Sequence, residues 1–184
     1  MAFDELTVRA DEATRRADEA YRQLERRYDD FLERERHKRV SRRRFSTLVD
    51  RIRTNGAPYG AHTIVYRPSG ELLLVRHEGV DLWVLPGGGV DPDESFAQAA
   101  RRELEEEAGV DVDYDGLAMI STVEIETQGY RTRGVLPIFA ARAESVEPDI
   151  SDPDDEISVA RWFSRLPDDT RDRDDLVAWR RQRL

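Results

Sequence analysis

The stretch Gly88–Val110, GGVDPDESFAQAARRELEEEAGV, decides the fold of this chain of 184 residues. It predicts a helix, because it has few β-branched residues and its apolar side chains recur at helical spacing. The segment Asp91–Glu94 predicts the start, since an aspartate cap, a proline at the first helical position and the glutamate of a capping box follow one another. Gly109 predicts the end, because glycine readily takes the left-handed conformation that follows a helix.

Three carboxylates share one face of this predicted helix. Glu103, Glu106 and Glu107 stand at positions i, i+3 and i+4, so their charges repel one another. A hard divalent cation relieves such repulsion, because Mg²⁺ takes oxygen ligands and keeps places for water and phosphate. Upstream, a short strand at Trp83–Pro86 leads into Gly87–Gly89, where the backbone can approach a metal or a phosphate. A solvated acidic face is the alternative, and the complete pattern described next favours the metal site.

Nine positions of the stretch stand at the spacing of a known signature: glycine, five residues, glutamate, seven residues, then R-E-U-x-E-E-x-G-U, where U is a bulky aliphatic residue. These positions are Gly88, Glu94, Arg102, Glu103, Leu104, Glu106, Glu107, Gly109 and Val110. The signature is the Nudix box, so the chain resembles the Nudix hydrolases. The resemblance implies cleavage of a nucleoside diphosphate linked to a group X, with Mg²⁺ or Mn²⁺ as cofactor.

The resemblance also implies roles for individual residues. The implied metal ligands are the carboxylates of Glu103, Glu106 and Glu107 and the backbone carbonyl of Gly87. Glu103 is the favoured general base, Arg102 holds it in place, and Glu94 ties the loop to the helix. Water would attack phosphorus while the cation stabilises charge on the phosphate oxygens.

A second source of a general base is the acidic loop Asp152–Glu156. It precedes Ile157–Phe163, which resembles the late E-I-x-x-A-x-W-F strand of the family. Glu156 is therefore a further catalytic candidate. For any single acid of this loop, a solvated surface role is the alternative.

Composition excludes several classes of protein. The chain has no cysteine, which rules out disulfides and a thiol nucleophile and argues against the isopentenyl diphosphate isomerase branch, whose members use a cysteine. No apolar run approaches the roughly twenty residues of a membrane span. The N-terminus lacks the basic start and apolar stretch of a signal peptide. We expect a cytoplasmic protein without a membrane partner.

The charge balance is unusual, because the net charge is −10 and only Lys38 of the 29 basic residues is a lysine. Abundant carboxylates with arginine in place of lysine are typical of halophiles that accumulate salt, since carboxylates keep a protein hydrated when salt screens repulsion. A genome rich in G and C would explain why arginine replaces lysine, but it would not explain the excess of acidic residues.

The N-terminal residues, up to about residue 38, predict one long helix with a seam of small and apolar residues at alternating steps of three and four. The seam is Phe3, Leu6, Ala10, Ala13, Ala17, Ala20, Leu24 and Phe31. It could pack on a second helix at Ser41 to about Arg53, on the catalytic domain, or on a second copy. We favour a homodimer to which this helix contributes.

The segment Arg34–Arg44 is strongly basic and is predicted to be a linker. Residues 1–58 carry 15 basic and 12 acidic side chains, against 14 and 27 in residues 59–184. Attraction between the two parts explains the arginines most simply. Nucleic acid is the less favoured partner, because Phe45 is the one aromatic residue near the cluster.

Strand patterns begin after Tyr59. The predicted strands are Ala61–Tyr66, Glu71–Arg76, Trp83–Leu85, Leu117–Glu126, Arg133–Arg142 and Ile157–Phe163, followed by a helix at Asp172–Arg183. The fold class is therefore α/β, and the resemblance implies the α/β/α Nudix sandwich with a mixed sheet. We divide the chain into a helical extension, residues 1–58, and a Nudix hydrolase domain, residues 59–184.

The group X is not fixed by the box. The proline found about sixteen residues past the box in ADP-ribose hydrolases of the family is missing here, since that position is Glu126. Side chains placed to meet X are Arg76, His77, Trp83, Tyr130, Arg131 and Arg133. A nucleotide sugar or nucleoside triphosphate is the favoured substrate. The alternatives are a pyrophosphohydrolase of RNA 5′ ends that uses the basic arm, and a regulatory domain that only binds its ligand.

If the acid excess adapts the protein to high salt, KCl should stabilise it. Screening of like-charge repulsion should raise the melting temperature as KCl rises from 0.1 M to about 3 M. Thermal unfolding followed by circular dichroism measures this. A melting temperature that stays flat or falls would contradict the halophile interpretation.

Overall fold

The computed structural model describes residues 4–144 and 147–184, and these residues form four helices and eight strands. In chain order they are α1 (Glu5–Arg27), β1 (Leu32–Arg39), α2 (Arg42–Asn55), β2 (Ala61–Tyr66), β3 (Leu72–His77), β4 (Leu82–Val84), β5 (Gly87–Gly88), α3 (Phe96–Glu107), β6 (Val112–Thr127), β7 (Tyr130–Ala143), β8 (Ile157–Phe163) and α4 (Arg173–Arg183). No helix within those two ranges is long and apolar enough to cross a membrane.

The chain divides into two compact units. The first comprises Met1–Gly60 with Met119–Pro137, and the second comprises Ala61–Ala118 with Ile138–Leu184. Strands β6 and β7 contribute residues to both. The division at residue 58 expected from the sequence stays a prediction.

In the first unit, the seam of α1 is buried as its spacing predicted. The buried members are Leu6, Ala10, Ala13, Ala17, Ala20 and Leu24, and Phe3 lies outside the described residues. The apolar face of α2, including Phe45 and Ile52, is fully buried as well. Polar contacts fix α1 on β7, where the hydroxyl of Thr132 donates to the carbonyl of Ala10 at 3.0 Å. Arg133 also donates two hydrogen bonds to Asp18, at 2.8 and 2.9 Å.

The prediction of one helix to about residue 38 is wrong, and so is the linker at Arg34–Arg44. Helix α1 ends at Arg27, and Leu32–Arg39 forms β1, which pairs in parallel with Met119–Glu126 of β6. Phe31 therefore does not belong to the helical seam. The charged sequence of β1 becomes a strand because β6 offers its backbone as a partner, which propensity alone does not reveal.

Burial of the seam inside its own chain removes the argument for a homodimer through it. Its buried residues are at most 7% exposed in the single chain, so the stripe needs no second copy to cover it. A homodimer itself stays a prediction.

The second unit is a mixed sheet with a helix on each face. Strand β2 pairs in parallel with β7 and antiparallel with β3 and β5, while β3 also pairs with β4 and β8. On one face, Val65, Leu73 and Val75 pack against Leu104 of α3 and against Ala108, the residue that follows the helix. On the other, the ring of Tyr66 lies 5.6 Å from that of Trp179 in α4. This layering confirms the expected α/β fold.

The helix of the box begins later than predicted. Ser95 caps α3, and its capping box is completed by Gln98, whose side chain accepts from the Ser95 N–H at 2.8 Å. The start predicted at Asp91–Glu94 is wrong, because Asp93 has a φ of 66°, which a helix cannot accommodate. The end is as predicted, with Gly109 in the left-handed region at a φ of 57°.

Gly56 sits where α2 meets α1, which generates a stability prediction. Its φ is 93°, and an added Cβ would lie 2.7 Å from the Cβ of Ala20. Gly56→Ala should therefore lower the free energy of unfolding by about 2–4 kcal/mol, through left-handed strain and overpacking. Urea denaturation measures the change.

Gly70→Ala is the matched control. Gly70 has a φ of 92° with nothing within 4 Å of the added Cβ, so only the strain of about 1–2 kcal/mol should appear. Equal losses in both variants would show that contact between α1 and α2 is loose.

Candidate active site

The C-terminal end of α3 contacts the segment Asp149–Ser151, which leads into the acidic loop Asp152–Glu156. The N–H of Asp149 donates to the carbonyl of Ala108 at 2.7 Å, and the N–H of Ser151 donates to the carbonyl of Glu106 at 2.8 Å. A Cβ on Gly109 would lie 2.1 Å from the Asp149 carbonyl oxygen. The final glycine of the box therefore lets the loop close on the helix.

The glycine strand β5 meets the same end of the helix. The N–H of Gly87 donates to Oε2 of Glu107 at 2.9 Å, and Glu107 is buried. Gly87 has a φ of 152°, and a Cβ there would lie 2.4 Å from the carbonyl oxygen of Ala61 in the paired strand β2. Only glycine brings this backbone so close to β2 and to the helix carboxylate.

Arg102 organises the other carboxylates. It donates to both carboxylate oxygens of Glu94 at 3.0 Å and to Oε1 of Glu103 at 2.7 Å. It also lies 3.5 Å from Oε2 of Glu106 and donates to the carbonyl of Gly89 at 2.9 Å. Because the guanidinium is planar and has several donors, it holds the loop and this face of the helix at once.

Glu94 is the anchor of this network. Its carboxylate accepts from the N–H of Asp91 at 2.9 Å, and the Arg102 bonds hold its pKa below the ordinary value. The placement agrees with the structural role that the resemblance implied.

Negative charge is concentrated around Glu107. Burial, first of all, raises its pKa to about 8, against the lowering effect of the Gly87 N–H. The charges of Glu103, Asp152 and Glu156 raise it further. Burial likewise raises the pKa of Glu103, with Arg102 opposing and Glu106 and Asp154 adding to the rise. The structure thus brings the helix carboxylates and the acidic loop together.

These residues supply the hard oxygen donors that Mg²⁺ and Mn²⁺ require, and the repulsion among them is what a divalent cation would relieve. No group of three His, Asp or Glu side chains in the described parts of the chain is already converged on one point. Binding a cation therefore requires some of these carboxylates to rotate. Arg102 contacts two carboxylates on the helix face, and it holds Glu106, at 3.5 Å, more weakly than Glu103, at 2.7 Å.

The loop acids differ in exposure and in partners. Asp152 accepts from the N–H groups of Glu156 and Ile157 at 2.6 and 2.8 Å, which shapes the loop from within. Glu156 is exposed and lies 3.3 Å from Nε2 of His77. Nδ1 of His77 accepts from the N–H of Gly79 at 3.1 Å, so Nε2 is the ring nitrogen that faces Glu156.

The side chains expected to meet the group X fall into both units. In the second unit, Arg76 is paired with Asp81 and Asp169, and the ring of Trp83 lies 4.8 Å from that of Phe163. In the first unit, α1 already engages Tyr130 and Arg133, through Asp4 and Asp18 respectively, and Arg131 is exposed. Tyr130 and Arg133 thus hold the extension in place.

His62 lies beside the glycine strand, where its ring meets Gly87. Burial, with a smaller contribution from Arg171, lowers its pKa to about 4, so the imidazole is neutral. Its Nδ1 is buried with no hydrogen-bond partner among the described residues.

Two contributors escaped sequence reasoning. Asp149 and Ser151 anchor the loop through backbone groups, which carry no sequence signal. The segment Asp169–Arg171 flanks Trp83, with the N–H of Arg171 donating to the Trp83 carbonyl at 2.9 Å. This neighbour of Trp83 could not be predicted from the sequence, because the two segments are more than eighty residues apart.

The model of the NUDIX domain family matches residues 57–180, so the chain belongs to the Nudix family. It is 54% identical over 50 residues to a putative 8-oxo-dGTP diphosphatase of Bacillus subtilis, which covers 27% of this chain and 34% of that protein. It is 31% identical over 106 residues to an NAD-capped RNA hydrolase of Caenorhabditis elegans, which covers 56% of this chain and 27% of that protein. The chain thus spans about a third of the length of these curated relatives or less.

Among solved structures, a NUDIX family hydrolase from Clostridium perfringens superposes with a TM-score of 0.50 at 15% identity, covering 67% of this chain and 96% of that one. This likeness supports the fold. Members of the family generally use divalent metal ions.

Gly88 generates a prediction about the position of Glu103. A Cβ on Gly88 would lie 2.6 Å from Cδ of Glu103, whereas a Cβ on Gly89 meets nothing within 4 Å. Gly88→Ala should displace the carboxylate and lower kcat by about 10- to 100-fold, by analogy with other losses of positioning. The melting temperature should change little, because a side-chain end can move aside.

Gly89→Ala is the control and should keep wild-type kcat. Both variants are assayed on a nucleotide that the wild type hydrolyses with Mg²⁺. Equal activity of the two variants would show that the carboxylate position over Gly88 is unimportant.

Proposed function

We propose that this protein is a pyrophosphohydrolase that depends on a divalent metal and cleaves a phosphoanhydride bond of a nucleoside diphosphate linked to a group X, by attack of water on phosphorus. The proposed metal ligands are Glu103, Glu106, Glu107 and the backbone carbonyl of Gly87, and the proposed cofactor is Mg²⁺ or Mn²⁺. The domain responsible is residues 59–184.

One observation carries the proposal. Glu107 is buried at the glycine strand with Glu103, Asp152 and Glu156 close enough to raise its pKa. Such an accumulation of negative charge destabilises a fold that holds no cation. A site that binds a cation and a phosphate chain accounts for it.

Each residue has a task in this proposal. Bound metal ions would supply Lewis acidity and stabilise charge on the phosphate oxygens. Glu103 takes the proton of the attacking water, and Arg102 holds its carboxylate at 2.7 Å in the required orientation. Gly87 turns its backbone toward the helix face, as its bond to Glu107 shows.

Glu103 is favoured over Glu156 as the general base. The side chain of Glu103 is 14% exposed and fixed by Arg102, whereas that of Glu156 is 60% exposed. A fixed carboxylate loses less freedom on reaching the reactive geometry. Glu156, oriented by His77, is the second candidate.

The substrate class rests on the chemistry that relatives are named for. One is named a putative 8-oxo-dGTP diphosphatase and another an NAD-capped RNA hydrolase, and both named substrates contain a phosphoanhydride joined to a nucleoside. We favour a nucleoside triphosphate or nucleotide sugar, and RNA 5′ ends are the alternative. Initial rates on nucleotide sugars, dinucleoside polyphosphates, nucleoside triphosphates and capped RNA, with Mg²⁺ or Mn²⁺, separate these classes.

The proposed setting of the enzyme is the cytoplasm of a halophile. The net charge of −10, with one lysine among 29 basic residues, supports it. A homodimer is part of the proposal only through a surface other than the buried seam of α1.

Removal of metal ligands gives the decisive test. Glu106→Gln and Glu107→Gln should each lower kcat by about two to four decades, because stabilisation made in the transition state is lost. Calorimetric titration with Mn²⁺ should show weakened metal binding in the same variants. Removing divalent cations with EDTA should abolish turnover by the wild type.

Glu105→Gln is the control, since Glu105 is exposed on the same helix and is not a proposed ligand. It should keep both activity and metal affinity. At saturating Mn²⁺, which offsets weaker metal binding, Glu103→Gln should lower kcat more than Glu156→Gln does, and the reverse order would favour Glu156 as the base. Wild-type turnover by the Glu106 and Glu107 variants at limiting metal would refute the metal site.

A further inference from the structure

The basic segment of the first unit is not accounted for by the proposed hydrolase site. Residues 34–44 contain seven basic side chains and one acidic one, in a chain with a net charge of −10. The structure turns this segment into the end of β1 and the first turn of α2. Only Val40 and Ser41 separate β1 from α2, so the basic residues of the two elements are close in sequence.

Five of these cations are exposed, and we call them the basic ridge. They are Lys38, Arg39, Arg42, Arg43 and Arg44. Arg39 pairs with Glu126 at 2.8 Å, and Arg42 lines the same surface cavity as Asp4. Within residues 4–144 and 147–184, no carboxylate lies within ion-pair distance of Arg43 or Arg44. Neither arginine is therefore neutralised by a direct ion pair with the described residues, although Arg43 lines the same surface cavity as Asp4, Glu5 and Asp50.

The position of the ridge is electrostatically unfavourable for the fold. Arg42, Arg43 and Arg44 occupy the first turn of α2, which contains no acidic residue. The N-terminus of a helix carries partial positive charge, so cations there destabilise it. Three arginines in this turn reduce stability unless anions neutralise them.

Aromatic rings accompany the cations. Nζ of Lys38 lies 4.4 Å from the ring centre of Tyr59, and the guanidinium of Arg42 lies 4.7 Å from that of Tyr130. Both rings are partly exposed. In both pairs the cation covers one face of the ring. A row of cations interleaved with aromatic rings is the combination that binds single-stranded nucleic acids.

A membrane surface fits this ridge less well. Peripheral helices insert an apolar face next to their basic residues. The apolar face of α2, including Phe45, Leu48 and Ile52, is fully buried within the first unit. Arginine also predominates in the ridge, and its planar guanidinium matches phosphate in a bidentate manner.

We propose that the basic ridge binds the phosphate backbone of a single-stranded nucleic acid. This reverses the expectation from the sequence, which placed these arginines in a linker and favoured an intramolecular role. The proposal stands apart from the hydrolase site, because it needs neither the box nor a 5′ phosphate.

The test uses full-length protein and a fluorescein-labelled oligo(U) of 20 nucleotides with a 5′ hydroxyl, in EDTA. Such RNA offers no phosphoanhydride, so anisotropy reports binding outside the hydrolase site. With about four phosphates contacted, the slope of log affinity against log KCl should be about −3. The double variant Arg43→Glu/Arg44→Glu should bind about tenfold or more weakly at 50 mM KCl and lose about 1.4 of that slope.

The double variant Arg15→Glu/Arg26→Glu is the matched control. Both arginines are exposed on α1, and the change in net charge is the same. Its affinity should fall less than threefold. The Arg43/Arg44 variant should melt no lower than the wild type, because acids in the first turn of α2 suit the helix dipole. Its hydrolysis of small nucleotides should be unchanged.

Several results would overturn the proposal. They are wild-type binding by the Arg43/Arg44 variant, an equal loss in the control, and absence of binding by the wild type at 50 mM KCl. A fourth is binding to vesicles of phosphatidylcholine and phosphatidylserine, lost in the same variant, with no binding to oligo(U). A DNA oligonucleotide of the same length, bound equally well, identifies the phosphate backbone as the ligand, and preference for RNA identifies ribose contacts.

Discussion

The hydrogen bond from the Gly87 N–H to the buried carboxylate of Glu107 is the constraint on which the proposed site depends. It joins the strand before the box to the end of the helix within it. A side chain at position 87 would collide with the backbone of Ala61. Because this residue is glycine, β5 can lie close enough to the helix to make the bond.

Arg102 and the acidic loop extend the same arrangement. Arg102 connects Glu94, which anchors the loop before α3, to Glu103 on the helix face. The loop at Asp149–Ser151 closes on the helix end through backbone bonds that Gly109 makes possible. The result gathers negative charge at one place, which is costly for folding and useful for binding a cation and phosphates.

The first unit combines a helix that is buried by its own chain with a basic segment that is exposed. Its helix α1 is covered by its own chain, so its alanine seam serves packing. The charged strand β1 and the first turn of α2 instead present arginines outward, at a position where the helix dipole opposes them. The phosphate backbone of a nucleic acid, as proposed above, would neutralise these arginines.

The sequence by itself determined the family, the α/β class, the box helix and which carboxylates share its face, because these depend on spacing along one element. It also determined the buried seam of α1, from Leu6 to Leu24, since periodicity reports the face of a helix. Tertiary structure alone decided that Leu32–Arg39 is a strand, because its pairing partner in β6 lies more than eighty residues away. It also decided that α3 starts at Phe96, since Glu94 is bound by Arg102 and Asp93 turns the backbone out of the helical region. Long-range hydrogen bonds and burial set these features, and local propensity contains neither.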